Sequence, residues 1–121
     1  LLRPVTVQVE INGGTKYSGR YEVGSDSVSD LVQEGGAEVV ELTLADENEP
    51  NRTVQLALAR TSGSIWLGGT LRVADGDQRI GFSVIGRVQV GGYGYAKFRG
   101  VWLSAAGTPL RSGQVTVTVR R

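Results

Sequence analysis

Apolar and polar residues alternate along most of this chain, which places every second side chain on the same face of an extended strand. Residues 5–11 give the first example, and their apolar face is formed by Val5, Val7, Val9 and Ile11. Asn12-Gly13-Gly14 follows and supplies the positive backbone φ angles that a tight hairpin requires. We therefore predict a β-hairpin whose return strand covers residues 16–23.

Similar alternation recurs to the end of the chain, with turn residues between the segments. The further segments are 40–44, 54–58, 65–73 (interrupted by Gly68-Gly69), 80–84, 88–90 (after a break at Gly86), 101–103 and 115–119. Roughly eight to ten short strands at near-regular spacing are typical of antiparallel sandwiches and barrels. We predict one all-β domain over residues 1–121, an antiparallel β-sandwich or a flattened β-barrel.

One segment has helical spacing instead. Ser25 or Asp26 can cap it, Gly35-Gly36 can end it, and its apolar residues fall three and four positions apart. We predict one short helix at about residues 26–34, packed on an end or edge of the sheet because so short a helix is marginal alone.

Composition narrows the chemistry. The 121 residues include no Cys, His or Met, which excludes thiol and imidazole nucleophiles, disulfides and the usual zinc and haem ligands. The acidic loop with Asp46, Glu47 and Glu49, and the turn with Asp75 and Asp77, lack a full calcium-loop spacing and are expected to be solvated. We predict no enzyme activity, no catalytic residue, no metal and no cofactor.

Charge and hydropathy limit the partners. Thirteen Lys and Arg against twelve Asp and Glu give a net charge of +1, which makes nucleic acid an unlikely partner on global charge alone. No apolar run approaches the roughly 18 residues needed to span a bilayer, so membrane insertion is not expected. The chain begins Leu1-Leu2 without Met, from which we expect that upstream residues have been removed.

A candidate interaction face follows from strand parity in residues 91–103. Tyr93, Tyr95, Lys97 and Arg99 share one face of this segment. Aromatic rings can stack on bases or sugars, and the cations can hold phosphate or carboxylate. Alternatively, the tyrosines pack across strands and cover the glycines of a neighbouring strand.

Two segments resemble elements of the RNA-recognition-motif family. Residues 92–98 resemble its RNP1 element, and residues 65–69, which contain Trp66, resemble RNP2. The resemblance implies stacking of single-stranded bases on Trp66, Tyr93 and Tyr95. The interval between the two elements, however, predicts strand and turn where that family has a helix.

The two ends of the chain are alike, since Val5, Val7, Val9 and Ile11 near the start match Val115, Val117 and Val119 near the end. These strands can pair within the domain, or one can be donated to a neighbouring subunit. We predict a non-enzymatic structural or interaction subunit of a larger assembly, associating through β edges and these terminal strands.

The expected partners are copies of itself, other assembly proteins, or both. The expected settings are a virion, as a capsid decoration or tail component, or the extracellular space or cell surface, as a filament or surface protein. The alternative is a module that binds carbohydrate or single-stranded nucleic acid through an aromatic and basic strand face formed by Trp66, Tyr93, Tyr95, Lys97 and Arg99.

Overall fold

Eight antiparallel strands form one continuous sheet. The computed structural model describes residues 3–23, 40–60, 66–90, 95–104 and 111–121. The strands are β1 (Arg3–Ile11), β2 (Thr15–Val23), β3 (Val40–Asp46), β4 (Arg52–Arg60), β5 (Trp66–Asp75), β6 (Gln78–Val90), β7 (Tyr95–Ser104) and β8 (Ser112–Arg120). The predicted helix at residues 26–34 lies outside the described residues.

The sheet closes on itself as a barrel. Each strand pairs with the next in chain order, and β1 pairs with β8 from Thr6 opposite Arg120 to Ile11 opposite Val115. The predicted all-β antiparallel architecture is confirmed, and of the two forms predicted the structure has the barrel. The connections β1–β2, β3–β4 and β5–β6 lie at one end of the barrel, where β7 ends and β8 begins, and we call this the hairpin end.

Strand parity decides which side chains fill the barrel. The buried apolar side chains come from all eight strands: Val5, Val7, Val9, Tyr17, Leu42, Leu44, Val54, Leu56, Leu58, Leu67, Leu71, Val84, Phe98, Val115, Val117 and Val119. An eight-stranded barrel is just wide enough for such side chains to fill it. Burying each Val or Leu contributes about 1.5–3 kcal/mol, so this interior is the main source of stability.

Phe98 and two glycines shape the middle of the barrel. Gly86 on β6 lies opposite Gly100 on β7, and the ring of Phe98 lies over both. A Cβ added at Gly86 would stand 2.6 Å from Cζ of Phe98, so the ring occupies the space that side chains would take. The predicted break at Gly86 is wrong, because β6 runs through it as one strand of 13 residues.

The β2–β3 contact is the weakest join in the barrel. Only Tyr17–Asp46 and Ser18–Ala45 are paired between these strands. Beyond them a side chain replaces the ladder, because the Tyr21 hydroxyl accepts from the Thr43 N–H at 2.7 Å and donates to the Thr43 carbonyl at 2.5 Å. Continuing the register of the two pairs would place Glu22 of β2 opposite Glu41 of β3.

Candidate functional site

Aromatic and basic residues meet on the outer surface of three neighbouring strands. Trp66 on β5 lies opposite Arg87 on β6, and Arg87 lies opposite Arg99 on β7. The guanidinium carbon of Arg87 is 5.4 Å from the centroid of the Trp66 ring, which is a cation–π contact. Three strands are needed to build this row, so no single segment of sequence contains it.

Large apolar side chains continue the same surface. Ile85 on β6 lies opposite Val101 on β7, and Leu103 follows on the same face of β7. Trp66, Ile85, Val101 and Leu103 are each between 37% and 44% exposed. We call the surface formed by Trp66, Ile85, Arg87, Arg99, Val101 and Leu103 the β5–β7 face. Apolar residues that cluster in this way, unlike scattered ones, mark interaction surfaces.

Charge is distributed unevenly around the barrel. Within the described strands, the outward-facing positions of β5–β8 carry basic side chains and no carboxylate; the basic ones are Arg72, Arg79, Arg87, Lys97, Arg99 and Arg120. The outward-facing positions of β1–β3 carry Glu10, Glu22 and Glu41 alongside Lys16 and Arg20. A net charge of +1 therefore conceals an uneven distribution, since the charged residues at the described outward positions of β5–β8 are all basic.

The structure brings together part of the predicted interaction face. Trp66 and Arg99 lie in one cross-strand row. Lys97 lies on the same face of β7, two residues before Arg99. Tyr95 opens β7 opposite Arg120, with only its backbone described, and Tyr93 lies outside the described residues. Gly86 on β6 and Gly100 on β7 are covered by Phe98 from inside the barrel.

The terminal strands pair with each other in one chain. Val5, Val7, Val9, Val115, Val117 and Val119 are all fully buried, and Ile11 is partly buried against the same core. β1 is hydrogen-bonded on one side to β2 and on the other to β8. These side chains therefore serve the core, and the ladders occupy both edges of β1.

The segments that resemble RNP1 and RNP2 stand in a different architecture. From Gly69 to Val90 the chain completes β5 and forms β6, which pair as an antiparallel hairpin. The RNA-recognition-motif family has a helix at this point. The likeness is therefore confined to the short motifs and does not extend to the fold.

Sequence reasoning missed an ion-pair cluster at the hairpin end. The Arg52 guanidinium lies 3.4 Å from Asp46, 2.9 Å from Glu49 and 3.2 Å from Asp75, measured between nitrogen and carboxylate oxygen. Asp46 was expected to be a solvated turn residue, yet it is 4% exposed. The available signal was Arg52, which lies in the sequence between two acidic turns. Its contact with Asp75, however, depends on the pairing of β4 with β5.

Hydrogen bonds and burial shift two pKa values here. The Asn48 N–H donates to the Asp46 carboxylate at 2.8 Å and lowers its pKa; the Glu49 N–H and Arg52 act in the same direction, against the opposing effect of burial. Burial raises the pKa of Tyr17, which is opposite Asp46, and the charge of Asp46 raises it further. Near neutral pH these shifts favour the ionised form of Asp46 and the neutral form of Tyr17.

The sequence matches no family model and no curated protein, and no solved structure matches the chain.

Among the described residues, no group of three or more acidic side chains is placed to hold a metal ion. In the same ranges, no helix has the length and apolar character needed to cross a membrane.

Proposed function

We propose that this protein is a non-enzymatic structural subunit of a larger assembly and that its β5–β7 face binds a neighbouring copy of the same chain. The observation that carries the proposal is the continuity of exposed Trp66, Ile85, Val101 and Leu103 with Arg87 and Arg99. Tryptophan and arginine are the residues enriched at the energetic centres of protein interfaces.

Charge supports a second copy as the occupant. Arg87 and Arg99 lie opposite each other on the β5–β7 face, and like charges so placed repel until an anion neutralises them. Glu22 and Glu41 are exposed carboxylates on outward positions of β2 and β3, on another side of the barrel. Docking the arginine pair of one copy on these two glutamates of the next neutralises charge on both surfaces.

Such a contact is head-to-tail, since two different surfaces of the same chain meet. Head-to-tail contacts generate rings when the rotation closes and filaments when it does not. A repeating subunit of this kind suits the assemblies expected from the sequence, namely a virion decoration or tail component, or an extracellular filament or surface protein. The closed barrel favours side-chain contacts over addition of strands at β edges.

The apolar part of the interface is tested with Val101→Asp. We expect sedimentation velocity to show self-association of the parent protein below about 1 mM, with Val101→Asp monomeric throughout. Gln55→Asp places the same charge on an exposed position of β4 and is expected to associate like the parent. A parent protein that stays monomeric, or a control as damaging as Val101→Asp, contradicts the proposal.

The charged part is tested by exchanging the two pairs. The double variants Arg87→Glu/Arg99→Glu and Glu22→Arg/Glu41→Arg should each lose association, because each carries the same charge on both surfaces. Combining all four substitutions should restore it. About 1 M NaCl, at which the Debye length is about 3 Å, should weaken the parent complex. A quadruple variant that remains monomeric while the parent associates overturns the pairing.

A second candidate function is binding of single-stranded nucleic acid on the same face. It is favoured by the exposed ring of Trp66 beside Arg87 and Arg99, with no carboxylate on the outward positions of these strands. Fluorescence anisotropy with a labelled oligothymidylate tests it, and Trp66→Ala should weaken binding at least about fivefold. Retention on a polysaccharide with no oligonucleotide binding would favour the carbohydrate alternative.

A further inference from the structure

A small cavity opens inside the barrel at its hairpin end, apart from the β5–β7 face. Its volume is about 180 Å³, and its lining comes from five different strands, β1, β2, β5, β6 and β7. The apolar lining consists mainly of Ile11, Leu71, Val73, Phe82 and Trp102. The mouth of a barrel is one of the places where small-molecule sites form most often.

The wall of this cavity is held in place by packing and hydrogen bonds. The rings of Phe82 and Trp102 lie 4.9 Å apart between centroids, tilted by 60°. The Trp102 indole N–H donates to the Asn12 side-chain oxygen at 3.1 Å, and the same oxygen accepts from the Gln114 N–H at 3.0 Å. Gly113 leaves room for the indole, which a Cβ at that position would strike. The cavity is thus preformed.

One buried side chain in the lining has unused hydrogen-bonding capacity. Tyr17 is 2% exposed, and its hydroxyl donates no hydrogen bond to any residue that the structure describes. Leaving a buried hydroxyl without a partner is unfavourable, so an acceptor atom brought into the cavity gains a bond that the protein alone lacks. The oxygen of Asn12 already accepts two hydrogen bonds and offers no comparable opportunity.

We propose that this cavity binds a neutral one-ring aromatic molecule carrying one hydrogen-bond acceptor oxygen, with the Tyr17 hydroxyl as the donor. An apolar cavity of about 150 Å³ accepts benzene, so 180 Å³ admits a ring with a substituent of about two or three heavy atoms. The apolar lining disfavours an anion.

Acetophenone is a suitable probe, and the two tryptophans report on where it binds. In a ¹⁵N correlation spectrum, acetophenone should move the indole signal of Trp102 in a saturable way and leave that of Trp66 unchanged. Trp66→Phe assigns the two signals. Val73→Phe fills the cavity and should abolish the shift of the Trp102 signal. If Val73→Phe does not fold, Ile11→Phe serves as the cavity-filling variant in its place. A silent Trp102, or equal movement of both signals, overturns the proposal.

The hydrogen bond is tested with Tyr17→Phe. This variant should bind acetophenone about fivefold more weakly, the usual effect of one neutral hydrogen bond. It should bind α-methylstyrene as the parent does, because that molecule has the same shape with a CH₂ group in place of the carbonyl oxygen. Equal loss for both molecules, or no loss for either, overturns the role of Tyr17. Neither result depends on self-association, which the β5–β7 face determines separately.

Discussion

At the scale of single residues, space inside the barrel decides what each position tolerates. Strand parity puts Phe98 and Trp102 on the same face of β7, and in the structure Phe98 points into the barrel and Trp102 toward its mouth. Parity does not predict that Gly86 sits under Phe98, because that contact depends on the register between β6 and β7. The glycine that looked like an interruption is instead the place where an aromatic side chain fits.

Two glycines of β6 provide a matched test of this contact. Gly86→Ala should lower the free energy of unfolding by about 1–3 kcal/mol, since the new methyl group meets both Phe98 and the backbone of β7. Gly81→Ala adds its methyl group where nothing lies within 4 Å and should be neutral or stabilise by up to about 1 kcal/mol. Urea denaturation measures both. Similar losses for the two variants would count against the contact.

Tyr21 offers a second residue-scale test, because its hydroxyl stands in for the missing rungs between β2 and β3. Tyr21→Phe removes both hydrogen bonds to Thr43 and should cost about 1 kcal/mol in unfolding free energy. Hydrogen exchange should accelerate at the Thr43 amide and remain unchanged at Leu56, which pairs within β3–β4. Uniform acceleration at both amides would show that the hydroxyl has no local role.

At the scale of elements, the connections at the hairpin end have specific turn geometry and ion pairs. The turn at Asn12-Gly13 was predicted from its sequence, and both residues have positive φ, 55° and 72°. The loop carboxylates of Asp46, Glu47 and Glu49 were predicted to be solvated, but Asp46 and Glu49 form ion pairs with Arg52. Local sequence predicts where such a loop falls; the pairing of Arg52 with Asp75 requires β4 and β5 to be neighbours.

Acid titration tests this loop. Because the pKa of Asp46 is lowered on folding, its contribution to stability is present above the unfolded value of about 3.9 and is lost as the pH falls through the lower native value. Unfolding free energy should therefore drop steeply below about pH 4. Asp46→Asn should be less stable at pH 7 and show a shallower acid dependence. Parallel pH profiles for the two proteins would exclude this role.

At the scale of the whole molecule, closure and charge distribution escape sequence reasoning. Alternation predicts strands but not whether the first and last strands meet. Trp66, Lys97 and Arg99 were identified as candidates, whereas Ile85, Arg87, Val101 and Leu103 were not, because their grouping depends on two registers at once, β5–β6 and β6–β7. The available signal was a set of large apolar residues at strand positions whose parity points outward.

Closure within one chain is tested with a disulfide, since the protein has no cysteine of its own. Gln8→Cys/Thr118→Cys places thiols on outward positions that lie opposite each other across β1 and β8. Oxidation should give a cross-linked monomer, stabilised by about 4 kcal/mol because the closed loop is long. Covalent dimers on a non-reducing gel would show instead that terminal strands are exchanged between subunits. Gln8→Cys/Thr70→Cys, whose positions are not adjacent, is the negative control.

The strand order has a consequence for how the barrel relates to its chain. Each strand's neighbours in the barrel are its neighbours in sequence, and β1 and β8 are adjacent as well. The pairing is therefore circular, and no strand is first or last in space. The same barrel is compatible with a circularly permuted gene that joins the two present ends through a short linker and begins in the turn after Gly13. Such a permutant would present the β5–β7 face on an unchanged barrel.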